Sequence, residues 1–201
     1  VEDNPGLRTI VDKAKSAQMP KETMERAIAR GAGGEDGAEL VAITYEGYGP
    51  GGVAVLVQTM TDNRNRTVGH VRHAFTRSGG NLGTDGSVAY LFDERGQINF
   101  APGCDEDDIA EIAINAGAED IETDEEGSIE VITGPEDFLS VKETLVAGGF
   151  EPAAAEVSMV PQNYSDLDQD TAEKVLRLLD QLEDIDDVTN VYTNASFPEE
   201  I

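Results

Sequence analysis

Tryptophan is absent from these 201 residues, cysteine occurs once, and positive charge is scarce, with 14 Lys+Arg against 41 Asp+Glu. A single cysteine, Cys104, can neither close an internal disulfide nor build a thiolate metal cluster, which suits a reducing cytoplasm. No apolar run approaches the roughly 18 residues needed to cross a bilayer, and no stretch reads as a signal peptide, so no membrane partner is expected. The formal net charge of -27 argues against non-specific nucleic-acid binding by the protein as a whole, because phosphate would be repelled. The apolar fraction is a modest 39%, yet periodic segments recur throughout, which points to folded domains.

The charge is unevenly spread. Residues 1–100 carry 11 Lys+Arg against 13 Asp+Glu, a net of -2, and the remainder carries 3 against 28, a net of -25. Solubility or adaptation to a salty cytoplasm accounts for most of those carboxylates. Against this background, the stretch from Thr61 to Phe92 holds four arginines and both histidines. At about 100° per residue, Arg66, His70, His73 and Arg77 fall within one stripe of a helix expected over Asn65–Ser78. Val68, Val71 and Phe75 lie opposite, at the spacing of a buried face. Arginine suits phosphate because its planar fork donates two parallel hydrogen bonds. Arg64 extends the cluster, and Asn63 and Asn65 add neutral donors. The pattern alone fits a binding surface and a solvated face equally well.

Taken in order, residues 5–30 read as two short helices, the second opened by Pro20 and stopped at Gly31. Ala32–Gly37 is a Gly-rich acidic linker. Two strands follow, about Leu40–Glu46 and Val53–Met60, joined by Gly47-Tyr48-Gly49-Pro50-Gly51-Gly52. That join formally matches G-x-G-x-x-G, but the motif should open a helix after a strand, and here the apolar run continues as strand. A glycine-permitted hairpin is the better reading. Tyr48, like Tyr45, offers an aromatic face that either stacks on a base or packs in the hairpin. After the central helix comes a Gly-containing loop, then a strand over Ser87–Phe92.

Residues 97–161 make a self-contained β-α-β-β-α-β pattern, the ferredoxin-like order. RNA-recognition modules share that order but need aromatics on the central strands. Ser128–Thr133 has none and carries a carboxylate, so a scaffolding or protein-facing role fits better. A helix over about Asp170–Asp184 follows, with Ala172, Val175, Leu176, Leu179 and Leu182 inward, then a strand at Val188–Thr193. These are expected to return and complete the earlier β-β-α-β unit. The organisation is therefore α+β with three domains: a helical region at 1–38, an α+β domain at 39–96 plus 162–201, and an inserted ferredoxin-like domain at 97–161.

Catalytic and metal chemistry find little support. His70 and His73 are surrounded by Arg66, Arg72 and Arg77, which would repel a cation. Asp166, Asp168 and Asp170 begin like a calcium loop, but Thr171 stands at the glycine position and Arg177 at the glutamate position. No phosphate loop, catalytic residue, cofactor or small-molecule substrate is expected.

Several motifs strongly resemble the YebC/PmpR family. They are Tyr45-Glu46-Gly47-Tyr48-Gly49-Pro50-Gly51-Gly52, Thr61-Asp62-Asn63-Arg64-Asn65-Arg66-Thr67, Gly79-Gly80-Asn81-Leu82 and Gly86-Ser87-Val88-Ala89-Tyr90. Met19-Pro20-Lys21, Glu25-Arg26-Ala27-Ile28 and Glu156-Val157-Ser158-Met159-Val160-Pro161 fit it too. The resemblance implies a cytoplasmic protein of three domains, with no catalytic residues. Family members are described as DNA-binding transcriptional regulators. Relatives that include a mitochondrial translational activator of cytochrome oxidase act on the ribosome, and bacterial members resemble factors that relieve stalling at proline-rich stretches. The implied partner is therefore DNA or, alternatively, ribosomal RNA and the ribosome. The family normally begins with a basic segment containing Gly-His-Ser-Lys-Trp, which is not found here. The chain opens on Val1 rather than methionine and reads as lacking its natural start, so a basic binding arm is expected to precede it.

Overall fold

The computed structural model describes residues 4–32 and 40–198; most of the expected Gly-rich linker lies outside the described residues. Along the chain run α1 (Pro5–Ser16), α2 (Lys21–Gly31), β1 (Val41–Tyr48), β2 (Ala54–Thr61), α3 (Arg64–Arg77), β3 (Asn81–Leu82), β4 (Phe92–Phe100) and α4 (Glu106–Ala116). Then come β5 (Asp120–Thr123), β6 (Ile129–Thr133), α5 (Phe138–Ala147), β7 (Ala154–Pro161), β8 (Ser165–Asp166), α6 (Gln169–Glu183), β9 (Val188–Thr193) and β10 (Ala195–Ser196). The fold class is α+β. The chain divides into two compact units, one of residues 1–28 with 94–159, the other of residues 29–93 with 160–201.

In the unit of residues 29–93 and 160–201, β1 and β2 form an antiparallel hairpin from Val41↔Thr61 to Tyr48↔Ala54. Pro50–Gly52 makes a 3-10 turn at its tip, and Gly51 and Gly52 take φ of 74° and 77°, a region that glycine enters without a Cβ penalty. β2 continues directly from this turn, so the G-x-G-x-x-G stretch opens no helix. β9 returns antiparallel to β2, pairing Val55 with Thr193, which gives the sheet order β3-β1-β2-β9. Val53, just before β2, and the alternate β2 residues Val55 and Val57 meet Val71 and Phe75 of α3 and Val175, Leu178 and Leu182 of α6 in one core. Each such side chain contributes about 1.5–3 kcal/mol of burial. On α6 the buried line runs through Ala172, Val175, Leu178 and Leu182, while Leu176 and Leu179 are half-buried. The helix is thus turned slightly from the sequence expectation, because its apolar residues cover a broad arc whose centre periodicity alone does not locate.

The expected strand over Ser87–Phe92 does not form. Ala89–Leu91 is a 3-10 turn and the strand begins at Phe92. The cause is a buried carboxylate. Glu46 accepts the N–H groups of Gly86, Val88 and Ala89, which a strand would have given to its neighbour.

In the other unit the sheet order is β5-β6-β4-β7. With α4 and α5 this is the ferredoxin-like arrangement. Ile98 and Phe100 of β4, Ile129 and Val131 of β6, Ile109 and Ala113 of α4, and Phe138, Val141 and Leu145 of α5 close its core. Asp105 caps α4, its Oδ1 accepting the Asp108 N–H at 3.1 Å, and the acidic first turn complements the helix dipole. On the outer face Gln97 donates to Glu130 at 2.9 Å and accepts from Ser158 at 2.6 Å, so that face carries a polar chain rather than aromatic rings. α1 packs within this unit and pairs Lys13 with Glu156 and Asp12 with Lys142. Among the described residues no helix is long and apolar enough to cross a membrane.

Candidate nucleic-acid interface

The segment Thr61–Thr67 is built chiefly of internal bonds. Asn63 is the N-cap of α3, and its Oδ1 accepts the Arg66 N–H at 3.0 Å, an arrangement worth about 0.5–2 kcal/mol. The Asn63 N–H in turn donates to Thr61 Oγ1 at 2.9 Å. The Thr67 hydroxyl lies 2.8 Å from Thr61 Oγ1, 2.8 Å from Asp187 and 3.0 Å from the Asn63 carbonyl. The single Thr67 proton cannot serve all three neighbours at once, so the Thr61 hydroxyl must donate a proton of its own within this group.

Arg66, placed by sequence at the centre of the basic stripe, is exposed but already engaged by two carboxylates of the protein. Its Nη2 donates to Asp62 at 2.9 Å, and its fork closes on Asp187 through Nη2 at 2.8 Å and Nε at 3.2 Å. The hydrogen bonds from Arg66 hold the Asp187 carboxyl below the usual carboxylate range against the opposing effect of burial, and Thr67 and Thr61 assist. The Asp187 carbonyl also accepts the Met60 N–H at 2.8 Å. One residue therefore ties the end of β2, the start of α3 and the approach to β9.

The rest of α3 divides cleanly. Thr67, Val71, Ala74 and Phe75 are buried, and Val68, expected inward, is half-buried because Ala74 and Thr67 sit nearer the centre of the contact. Arg64, Asn65, His70, Arg72, His73 and Arg77 are exposed. Arg64–Arg77 contains no Asp or Glu. Among the described residues, Arg66 is the only α3 cation that forms an ion pair. The outward cations without an ion pair are thus Arg64, Arg72 and Arg77, with the two histidines, and Arg66 is exposed beside them but paired to Asp62 and Asp187.

Tyr48 is half-buried, and its hydroxyl donates to the Ser87 carbonyl at 3.0 Å, so it braces the loop after β3. Tyr45 packs against the core. Its phenol is pushed up by burial, against the lowering charge of Arg64.

Two structural residues escaped the sequence reading, Glu46 and Asp187. Glu46 is only 7% exposed and its bonds to Gly86, Val88 and Ala89 measure 2.6, 2.9 and 2.6 Å. Burial raises its carboxyl, yet the three N–H groups together outweigh that effect and bring it below the ordinary value. An acid inside an otherwise apolar and aromatic strand, followed by a glycine-rich loop in need of acceptors, was the available signal. For Asp187 the signal was weaker: an acid immediately before a strand whose pairing partner, β2, ends at the arginine-bearing helix.

Comparison with known proteins agrees with these motifs. Residues 40–195 match the family described as "TACO1/YebC second and third domain", and residues 1–34 match the "TACO1/YebC protein N-terminal domain". A "probable transcriptional regulatory protein" of Hahella chejuensis is 58% identical over 200 residues, covering 100% of this chain and 81% of that protein. One of Pseudomonas aeruginosa, of the same description, is 55% identical over 199 residues, covering 99% and 80%. The crystal structure of a conserved hypothetical protein from Aquifex aeolicus superposes with a TM-score of 0.83 at 46% identity, covering 100% of this chain and 83% of that one. The chain belongs to the TACO1/YebC family.

Proposed function

We propose that this protein regulates gene expression by binding nucleic acid, as a transcriptional regulator acting on duplex DNA. The observation that carries the reading is the exposed side of α3, which presents Arg64, Arg72, Arg77, His70 and His73 without a carboxylate among them in a chain of net charge -27. Asn65 adds an exposed amide beside them. Asn63, Arg66 and Tyr48 support the same surface, by capping the helix, clamping its first turn and bracing the adjoining loop. The names of the relatives support a role in transcription and a cytoplasmic location. The reading assigns no catalytic step and no small-molecule substrate. It also takes residues 39–96 with 162–201 as the domain that bears the interface, residues 97–161 as the inserted domain, and residues 1–38 as a helical region.

The test is binding of a DNA duplex across a salt series, beside co-sedimentation with ribosomes. Each phosphate contact contributes roughly -0.9 to the slope of log affinity against log salt, so the Arg72→Glu, Arg77→Glu variant should lose about two units of slope. Unchanged slope and affinity in the folded variant would remove α3 from the interface. Ribosome association without duplex binding would transfer the reading to a translation factor that recognises structured RNA by shape and phosphate.

A further inference from the structure

Tyr90 and Tyr164 stand out into solvent, 67% and 62% exposed, whereas Tyr45 and Tyr48 of the same unit are half-buried. The main-chain N–H of Gln162 donates to the Leu91 carbonyl at 2.8 Å. Tyr90 precedes one end of this bond by one residue and Tyr164 follows the other by two, so two distant parts of the chain bring these two exposed tyrosines to one locality. Gln162 Nε2 also reaches Asp93 at 3.3 Å.

Both rings rise from fixed backbone. Tyr90 lies in the 3-10 turn Ala89–Leu91, directly after the N–H groups that Glu46 holds. Tyr164 leads into β8, where the Ser165 N–H donates to the Asn194 carbonyl at 2.8 Å. A partner landing here would order little new chain, which lowers the entropic cost of binding.

The surrounding charge selects the partner. Residues 78–93 and 160–173 together contain six carboxylates and no Lys or Arg; of the cations just beyond, Lys174 acts on Asp168 and Arg177 pairs with Glu173, which leaves the other four to set the local charge. Asp93 receives Gln162 and Asp168 caps α6 at Thr171 N–H, 2.8 Å away, while Asp85, Asp166 and Asp170 are exposed. Phosphate would be repelled by such a setting, which disfavours base stacking. A guanidinium or ammonium group gains twice, from the ring face and from the carboxylates. We propose that Tyr90 and Tyr164 form a docking surface for a Lys/Arg-rich polypeptide segment of a partner protein, separate from the cationic face of α3.

The experiment titrates the full chain with a nonbasic control peptide, with a peptide of alternating arginine and glycine, and with a single-stranded oligonucleotide. With five tyrosines and no tryptophan, tyrosine emission reports contact directly. The basic peptide should quench it and bind in a salt-dependent way. Tyr90→Ala with Tyr164→Ala should weaken that binding about tenfold, and Tyr90→Phe with Tyr164→Phe should retain it. Ile114→Ala, at a 64% exposed side chain of the acidic unit, should leave it unchanged. Equal peptide binding by the native and double-alanine proteins would overturn the proposal, because attraction would then be diffuse. Tyrosine-dependent binding of the oligonucleotide instead of the peptide would also overturn it and make the rings a stacking platform.

Discussion

Replacing Glu46 with glutamine perturbs the support beneath the loop from Gly83 to Leu91 while barely changing side-chain volume. In the native protein Oε2 accepts the Gly86 N–H and Oε1 accepts those of Val88 and Ala89. Glutamine keeps one oxygen and turns an NH2 group toward the remaining backbone donor. A buried donor left without an acceptor costs about 1–3 kcal/mol, and the surviving bonds fall from charge-assisted to neutral strength, about 1 kcal/mol less. The expected loss is about 2–4 kcal/mol, a large share of a typical domain's 5–15 kcal/mol or so. Urea unfolding at neutral pH should show a lowered midpoint with unchanged slope. Amide exchange at Gly86, Val88 and Ala89 should accelerate ahead of the sheet. The pH dependence supplies a second reading. The folded carboxyl lies below its ordinary value, so its contribution is complete above the unfolded value of about 4.3 and is lost as pH falls through the folded one. The gap between native and Glu46→Gln proteins should therefore narrow as the solution is acidified from pH 5 or so. Equal urea midpoints with equal exchange rates would refute the claim that this carboxylate holds the loop.

Three further outcomes follow from the same unit. Arg66→Ala should lower the thermal midpoint by releasing Asp187 and Asp62, yet leave the salt slope of nucleic-acid binding unchanged, in contrast to substitutions at Arg72 and Arg77. Gly47→Ala would place a Cβ 2.6 Å from the Phe75 ring and 2.9 Å from the Asn81 carbonyl, and should destabilise by about 1–3 kcal/mol in chemical denaturation. Leu178→Ala, at a fully buried side chain, should cost about 2–5 kcal/mol, and the half-buried Leu176→Ala distinctly less, which separates the two readings of the α6 face.

Where apolar period and punctuation agreed, the sequence sufficed. β9 runs over Val188–Thr193 as expected, and β4, α4, β5, β6, α5 and β7 follow the expected β-α-β-β-α-β order. The ferredoxin-like order was legible because each of its elements carries its own period and its own stop. Failures arose where a distant polar partner decided the matter. Ser87–Phe92 has strand composition, but its N–H groups answer to a carboxylate about 40 residues away. Arg66 has the position of a phosphate ligand on a helical wheel, but a carboxylate 121 residues distant takes its fork. Both facts depend on a partner far away in sequence, and the signals near Glu46 and Asp187 do not say which groups those acids will meet. Helical phase was the third weakness: on α6, with apolar residues over a wide arc, nothing in the period chooses Leu178 over Leu176.

These failures bear on how the arginine-bearing motif should be understood. Thr61, Asp62, Asn63, Arg66 and Thr67 all direct side-chain atoms at one another, at the α3 backbone or at Asp187. Five of its seven residues thus hold a helix end to a sheet, while the exposed Arg64 and Asn65 take no part in that clamp. A binding surface needs such support, because cations gathered on one helix repel each other and have no carboxylate nearby to anchor them. The clamp supplies acids at the start of the helix, through Asp62 and Asp187, and leaves the rest of its exposed side to Arg72, His73 and Arg77. On this reading, loss of Arg66 and loss of Arg77 differ in kind: the first loosens the platform, whereas the second removes charge from a platform that stays intact.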